Sequence, residues 1–129
     1  MLLVKTKIGP SKIHDIGLFA NQFIPKGTPI WRFTQGFDIR ISKEDIRRLS
    51  EPAKEEFFHF AFLNPNTNKY VLCADGARFY NHSDNPNTVS IDYPDEEEGM
   101  DIAARDIQVG EELTIDYRTF DMLSQDINY

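Results

Sequence analysis

Apolar and polar positions alternate over short stretches of this chain, and most of those stretches end at Gly or Pro. Residues 5–8, 17–20 and 29–33 read as strands, separated by Gly9-Pro10 and Pro25-Lys26-Gly27. From Ser42 the period lengthens. Ile46 and Leu49 fall at helical spacing, and Ser42 with Asp45 three residues on resembles an N-terminal capping box. Ser50-Glu51-Pro52 restarts a helix, with Ser50 as cap and Pro52 tolerated in the first turn. Phe57, Phe60 and Ala61 share its buried face. Asn64-Pro65-Asn66-Thr67-Asn68 reads as a loop and residues 70–72 as a strand. Residues 91–93 and 100–104 form a hairpin closed by the acidic run Asp95-Glu96-Glu97-Glu98. Leu113, Ile115 and Tyr117 alternate with Thr114 and Asp116, a short strand ending in a tyrosine. The pattern predicts a mainly β domain with a short helical insert.

At 129 residues one domain with a modest core is expected. No apolar run approaches the roughly 20 residues of a membrane-spanning helix. Met1-Leu2-Leu3-Val4-Lys5 is too short for the apolar core of a signal peptide, so a cytoplasmic protein is the expectation. A single cysteine, Cys73, excludes an internal disulfide and a multi-cysteine zinc site. With only three scattered histidines, no protein-held metal is expected. Charge is lopsided. Residues 1–60 carry ten Lys/Arg against seven Asp/Glu, and residues 61–129 carry four against fourteen. That balance argues against direct nucleic-acid binding and favours a Lys-rich protein or peptide as partner. For the acidic run alone, the plainer reading is a solvated loop.

The densest chemistry lies in Arg78-Phe79-Tyr80-Asn81-His82-Ser83-Asp84-Asn85-Pro86-Asn87, a polar run with a turn at Asn85-Pro86. His82, Ser83 and Asp84 are too close in sequence to converge as a hydrolase triad. A second run follows, Gly110-Glu111-Glu112-Leu113-Thr114-Ile115-Asp116-Tyr117. Together they resemble the two signature motifs of the SET domain, the fold of many protein-lysine methyltransferases: Arg-Phe-x-Asn-His-Ser-x-x-Pro-Asn, then Gly-Glu-Glu-Leu-Thr-x-Asp-Tyr. Ser11-Lys12-Ile13-His14-Asp15-Ile16-Gly17-Leu18-Phe19-Ala20 resembles the family's first motif, followed by Lys26-Gly27-Thr28-Pro29-Ile30. Asp15 stands where the family usually has Gly, a departure Asp tolerates because it enters left-handed backbone more readily than most residues.

The resemblance implies a β-clip of small curved sheets with a threaded C-terminal segment. Its N-terminal part spans 5–37, the helical insert 38–68, the C-terminal part 69–117 and a short tail 118–129. It implies transfer of methyl from S-adenosylmethionine to a lysine of a basic protein, with Tyr117 as the catalytic hydroxyl. His14, Asp15, Ile16, Gly17, Asn81 and His82 are the implied cofactor contacts, with His82 acting mostly through its backbone. Trp31, Phe33, Tyr80, Ile115 and Phe120 are candidates for the substrate channel, and Phe37 is an alternative wall. Ile115 sits where the family often has Phe or Tyr, hinting at a roomier pocket. The tail lacks the cysteine-rich segment of many histone-directed relatives, so Phe120, Tyr129 or a second subunit in a homodimer would close the channel. Two rival readings stay open: a SET-fold binding module of weak or no activity, and a structural β domain whose motifs are only topological.

Overall fold

The computed structural model describes residues 1–121. Strands β1 (Thr6–Pro10) and β2 (Ile16–Ala20) form an antiparallel hairpin in register from Thr6 opposite Ala20 to Pro10 opposite Ile16. A second sheet has the order β3-β9-β8, with β9 (Glu96–Ala103) between β3 (Pro29–Arg32) and β8 (Thr88–Tyr93), antiparallel to both. The insert combines α1 (Lys43–Ile46) and α2 (Glu51–Phe60) with a third sheet, β4-β6-β5, of Ile39–Ile41, Lys69–Leu72 and Phe62–Asn64. Last come β7 (Asn81–His82) and β10 (Thr114–Ile115), two residues each and parallel. This is the mainly β architecture with a helical insert that the pattern predicts.

Both helix starts follow the capping logic. The Ser42 hydroxyl accepts the Asp45 N–H at 3.0 Å, and the Ser50 hydroxyl accepts that of Ala53 at 3.3 Å. One core gathers Leu18, Ile24, Ile30, Val71, Ile107, Leu113 and Ile115, all at most 2% exposed. A smaller core under the insert holds Ile46, Phe57, Ala61, Leu63 and Tyr70.

Four expectations need correction. The insert is less helical than expected, because β4 and β5 are three residues each, too short for a period to show. The acidic run is not a loop: the hairpin turns at Pro94-Asp95, with Asp95 at φ 64, and Glu96 to Glu98 belong to β9. Phe60 leaves the face of Phe57 and Ala61, and its ring meets Phe79 edge-on at 5.5 Å. The last strand stops at Ile115, and Tyr117 opens a 3-10 turn, Tyr117–Thr119. That turn forms because the Asp116 carboxylate accepts the Arg118 N–H at 3.0 Å, an Asx turn that ends the strand.

Glu98 ties the insert to the central sheet. Its side chain is 1% exposed and takes two hydrogen bonds from the Arg40 guanidinium, one of them at 3.0 Å from Nε to Oε2. Arg40 also lies 4.0 Å over the Phe33 ring. Removing one member of a buried pair leaves the other charge without compensation. Arg40→Met is therefore expected to lower unfolding free energy by about 3–5 kcal/mol in urea titrations. A change under about 0.5 kcal/mol, the range of ordinary surface substitutions, would contradict this reading of the pair.

Candidate functional site

The site is assembled by the parallel pairing of β7 with β10, in which Asn81 faces Thr114 and His82 faces Ile115. The segment before β10 is gripped on its other side by β2: Ala20 N–H donates to Glu111 O at 2.9 Å and Leu113 N–H to Leu18 O at 2.7 Å. Asn87 clamps the same segment through its amide, donating to Glu112 O at 2.8 Å and accepting from Thr114 N–H at 2.9 Å. Residues far apart in sequence are thus locked at one place.

Asn81, 7% exposed, is the hub. Its amide nitrogen lies 3.1 Å from Ser11 Oγ, 3.1 Å from His14 O, 3.2 Å from Ile16 O and 2.9 Å from Glu112 Oε2. Two N–H bonds shared among four acceptors fix the loop that carries His14, Asp15 and Ile16. Ser11 Oγ donates to the same Glu112 carboxylate at 2.8 Å. Gly17 contributes by what it lacks: a Cβ there would lie 2.5 Å from Glu112 Oε2. Asp15 takes a left-handed φ of 36.

His82 serves through its ring, a role beyond the backbone contacts expected of it. Nδ1 accepts the Tyr117 N–H at 3.1 Å, which leaves Nε2 to donate to Asp84 Oδ1 at 2.9 Å. Arg118 bridges Asp84 at 2.7 Å and Asp116 at 2.9 Å, and its guanidinium holds the Asp116 carboxyl below its ordinary pKa. The backbone of Tyr117 is thereby fixed, while its hydroxyl donates to the Tyr80 carbonyl. A phenol that donates its proton to a carbonyl keeps its oxygen lone pairs for another donor.

Two cavities flank Tyr117. The larger, about 520 Å³, is lined by His14, Asp15, Ile16, Asn81, His82 and Tyr117, every implied cofactor contact except Gly17. The smaller, about 270 Å³, is lined by Trp31, Tyr80, Ile115 and Phe120 of the channel candidates, and by Tyr117. Tyr80 and Tyr117 belong to both walls. Phe33 is not in the wall, because it packs under Arg40, and Phe37 is exposed; Tyr129 lies outside the described residues.

The smaller cavity also contains residues that sequence reasoning passed over: Cys73, Ser90 and Asp101. Burial pushes the Cys73 thiol and the Tyr80 phenol up, so both stay neutral near pH 7. Burial likewise raises the Asp101 carboxyl to about 7, against a smaller opposing effect from the Ser90 hydroxyl. Among the described residues, Trp31 Nε1 and Tyr80 Oη are buried without a hydrogen-bond partner. Of the other positioning residues, Asn87 and Glu112 stood in the two signature motifs, Ser11 opened the first motif and Asp84 lay in the polar run; Arg118 had no signal in the sequence.

A family model described as SET domain matches residues 15–118. Curated relatives include the human histone-lysine N-methyltransferase 2D, 31% identical over 111 residues that make up 84% of this chain and 2% of that protein. The Mycosarcoma maydis histone-lysine N-methyltransferase, H3 lysine-36 specific, is 36% identical over 119 residues, 88% of this chain and 12% of that protein. The chain thus spans a small fraction of the length of these relatives. Among solved structures, a humanized mutant of the Chaetomium thermophilum Polycomb Repressive Complex 2 bound to an inhibitor aligns with a TM-score of 0.67. It is 26% identical, with 95% of this chain and 16% of that one covered. A Plasmodium falciparum crystal structure, 22% identical with a TM-score of 0.62, covers 90% of this chain and 95% of that one and shares the fold.

Two predictions follow from the site's own physics. Asn81→Ala removes the hub, so amide exchange at Ile13 and His14 is expected to accelerate at least about tenfold while the β3-β9-β8 sheet keeps its protection. Unchanged exchange in that loop would contradict the hub. The Asp101 carboxyl, at about 7 when folded against an ordinary 3.8, binds a proton in the folded chain that the unfolded chain has lost. The stability it confers is complete below pH ~4 and disappears as pH rises through ~7. Asp101→Asn should flatten that decline in unfolding curves taken from pH 4 to 8; a parallel decline in the variant would contradict the shift.

Proposed function

We propose that this chain, which belongs to the SET-domain family, transfers a methyl group from S-adenosylmethionine to the side-chain amine of a lysine in a basic protein segment. The observation that carries the reading is Tyr117 standing in the wall of both cavities with its hydroxyl already committed to the Tyr80 carbonyl. The larger cavity is within the roughly 300–1,000 Å³ of small-molecule sites, and the cofactor fits its lining. His14, Asp15 and Ile16 present backbone on a loop immobilised by Asn81, and His82 completes the wall. When bound, the cofactor supplies an electrophilic methyl on a sulfonium.

The chain's residues would have three tasks. The first concerns charge. A lysine ammonium has a pKa near 10.4, so neutralising it at pH 7 costs on the order of 4–5 kcal/mol. Trp31, Tyr80, Ile115 and Phe120 give the passage apolar walls on the side of Tyr117, which disfavour the ammonium there. The second is alignment: the Tyr117 oxygen accepts an N–H of the amine and so turns its lone pair toward the larger cavity. The third is fixing that oxygen beforehand, through His82 at its backbone and the Tyr80 carbonyl at its hydroxyl. The acidic balance of residues 61–129 draws a basic segment toward this face by long-range attraction.

Transfer of labelled methyl to Lys-rich proteins, compared between the native chain and Tyr117→Phe, tests the proposal. Label on lysine that falls about 100-fold or more in the variant is expected, with cofactor affinity unchanged by calorimetry. Intact cofactor binding with no label on any lysine would replace the enzyme reading with that of a binding module.

A further inference from the structure

The register of the second sheet lines up three side chains on the smaller cavity. Trp31 of β3 pairs with Asp101 of β9, and Asp101 pairs with Ser90 of β8. All three belong to the cavity wall, facing Tyr80 and Tyr117. A carboxylate is the costly choice for the middle of an otherwise aromatic passage, since burial disfavours its charged form. Among the described residues Asp101 has no ion pair, whereas the other acids nearby are occupied. Glu98, on the same strand, is held by Arg40, and Asp121 accepts the Leu63 N–H at 3.0 Å. The nearby cation Arg78 is also committed: its guanidinium donates to the Cys73 carbonyl at 3.0 and 3.1 Å and lies 5.4 Å from the Phe60 ring centre. His59 reaches the cavity from α2 and is exposed. The positive charge of the Met1 amine opposes the rise of the Asp101 carboxyl as a lesser influence. Among the described residues the cavity therefore holds one carboxylate with the Ser90 hydroxyl beside it but no cation, and two polar groups without a hydrogen-bond partner, Trp31 Nε1 and Tyr80 Oη. That is a lining suited to a cationic, hydrogen-bonding guest.

We propose that Asp101 is the proton acceptor for the substrate amine, holding the incoming lysine ammonium and taking one of its protons before methyl transfer. The inference rests on the methyl-transfer reading above. An N–H bond of the ammonium breaks, an O–H bond forms on Asp101, and the amine keeps the electron pair. That pair forms the new N–CH₃ bond as the S–CH₃ bond breaks and sulfur keeps its electrons. The methylammonium leaves with its remaining protons, and Asp101 returns the one it holds to water. The other groups in reach are unsuited. Tyr117 already donates to the Tyr80 carbonyl, and the neutral Tyr80 phenol and Cys73 thiol have no lowered pKa that would make them bases. A carboxyl that titrates near 7 has the balance of proton affinity and ionised fraction that a general base needs at neutral pH.

The test is the pH profile of kcat/KM on a lysine peptide for the native chain, Asp101→Asn and Ser90→Ala, joined to carbon NMR of the Asp101 carboxyl. The native profile is expected to rise through an inflection near pH 7. Asp101→Asn should lose that inflection and about 100-fold of the rate at pH 7, with the deficit shrinking toward pH 9.5 as the lysine ammonium loses its proton to solvent unaided. Ser90→Ala should move the inflection to higher pH, because the hydroxyl that favours the carboxylate is gone. In the NMR arm, a lysine peptide should shift the Asp101 titration to lower pH, while the same peptide with norleucine should not. A uniform loss at every pH in Asp101→Asn, with the inflection kept, would overturn the inference and leave methyl transfer standing. Equal shifts from lysine and norleucine peptides would overturn it as well. A native chain that labels no lysine would overturn both.

Discussion

Two rungs of parallel backbone pairing, Asn81 to Thr114 and His82 to Ile115, hold the rest of the site in place. So short a ladder has little stability of its own, and it persists because side chains bind both of its strands. Asn87 bonds the 112–114 backbone, Glu112 meets Asn81, and β2 takes the preceding residues by its own backbone. Leu113 and Ile115, at most 2% exposed, anchor the same segment in the main core. Burial thus supplies the energy, and the polar contacts choose the geometry. Once the ladder stands, the loop of His14 to Ile16, the His82 ring and the Tyr117 hydroxyl have no independent freedom to drift.

The same molecule carries features that oppose its stability. Among the described residues, Trp31 Nε1 and Tyr80 Oη are buried without hydrogen-bond partners, and the Asp101 carboxyl has no ion pair. Each costs free energy in a domain too small to dilute it. All three gather on one cavity, beside Tyr117, which stands in the wall of both. Local rules broken together at a single place mark a surface shaped for a guest that restores them. A lysine side chain answers two of the three: its stem suits the aromatic walls, and its head brings donors to Tyr80 Oη and charge to the carboxylate, while the Trp31 N–H needs an acceptor from elsewhere.

Much of this was legible in the chain. The polar run 78–87 and the Gly-Glu-Glu run are local patterns, and through their resemblance to the SET motifs they pointed to Asn81, His82 and Tyr117. Alternation found the hairpins, and the Ser42 and Ser50 caps located both helices. What stayed hidden depends on contacts between distant residues. Strands of two or three residues leave no period, so β4, β5 and β7 were invisible as strands, and β10 showed only as part of a longer alternation that overran its end. The row of Trp31, Asp101 and Ser90 exists only through the register of three strands, and no spacing along the chain encodes it. Glu98 misled for a related reason. A charge run reads as solvated surface until Arg40, 58 residues away, is seen to neutralise it in the core.

The central claim is that two different ligands reach Tyr117 through two different cavities. It is tested most directly by amide and indole NMR shifts of the labelled chain titrated with S-adenosylhomocysteine, with a lysine peptide, and with both. The account predicts that the first ligand moves signals of residues 13–16 and His82 and leaves the Trp31 indole in place. The peptide should move Trp31, Ser90 and Asp101, Tyr117 should respond to each, and neither ligand should displace the other. Competition between the two, or one shared set of shifted residues, would contradict it.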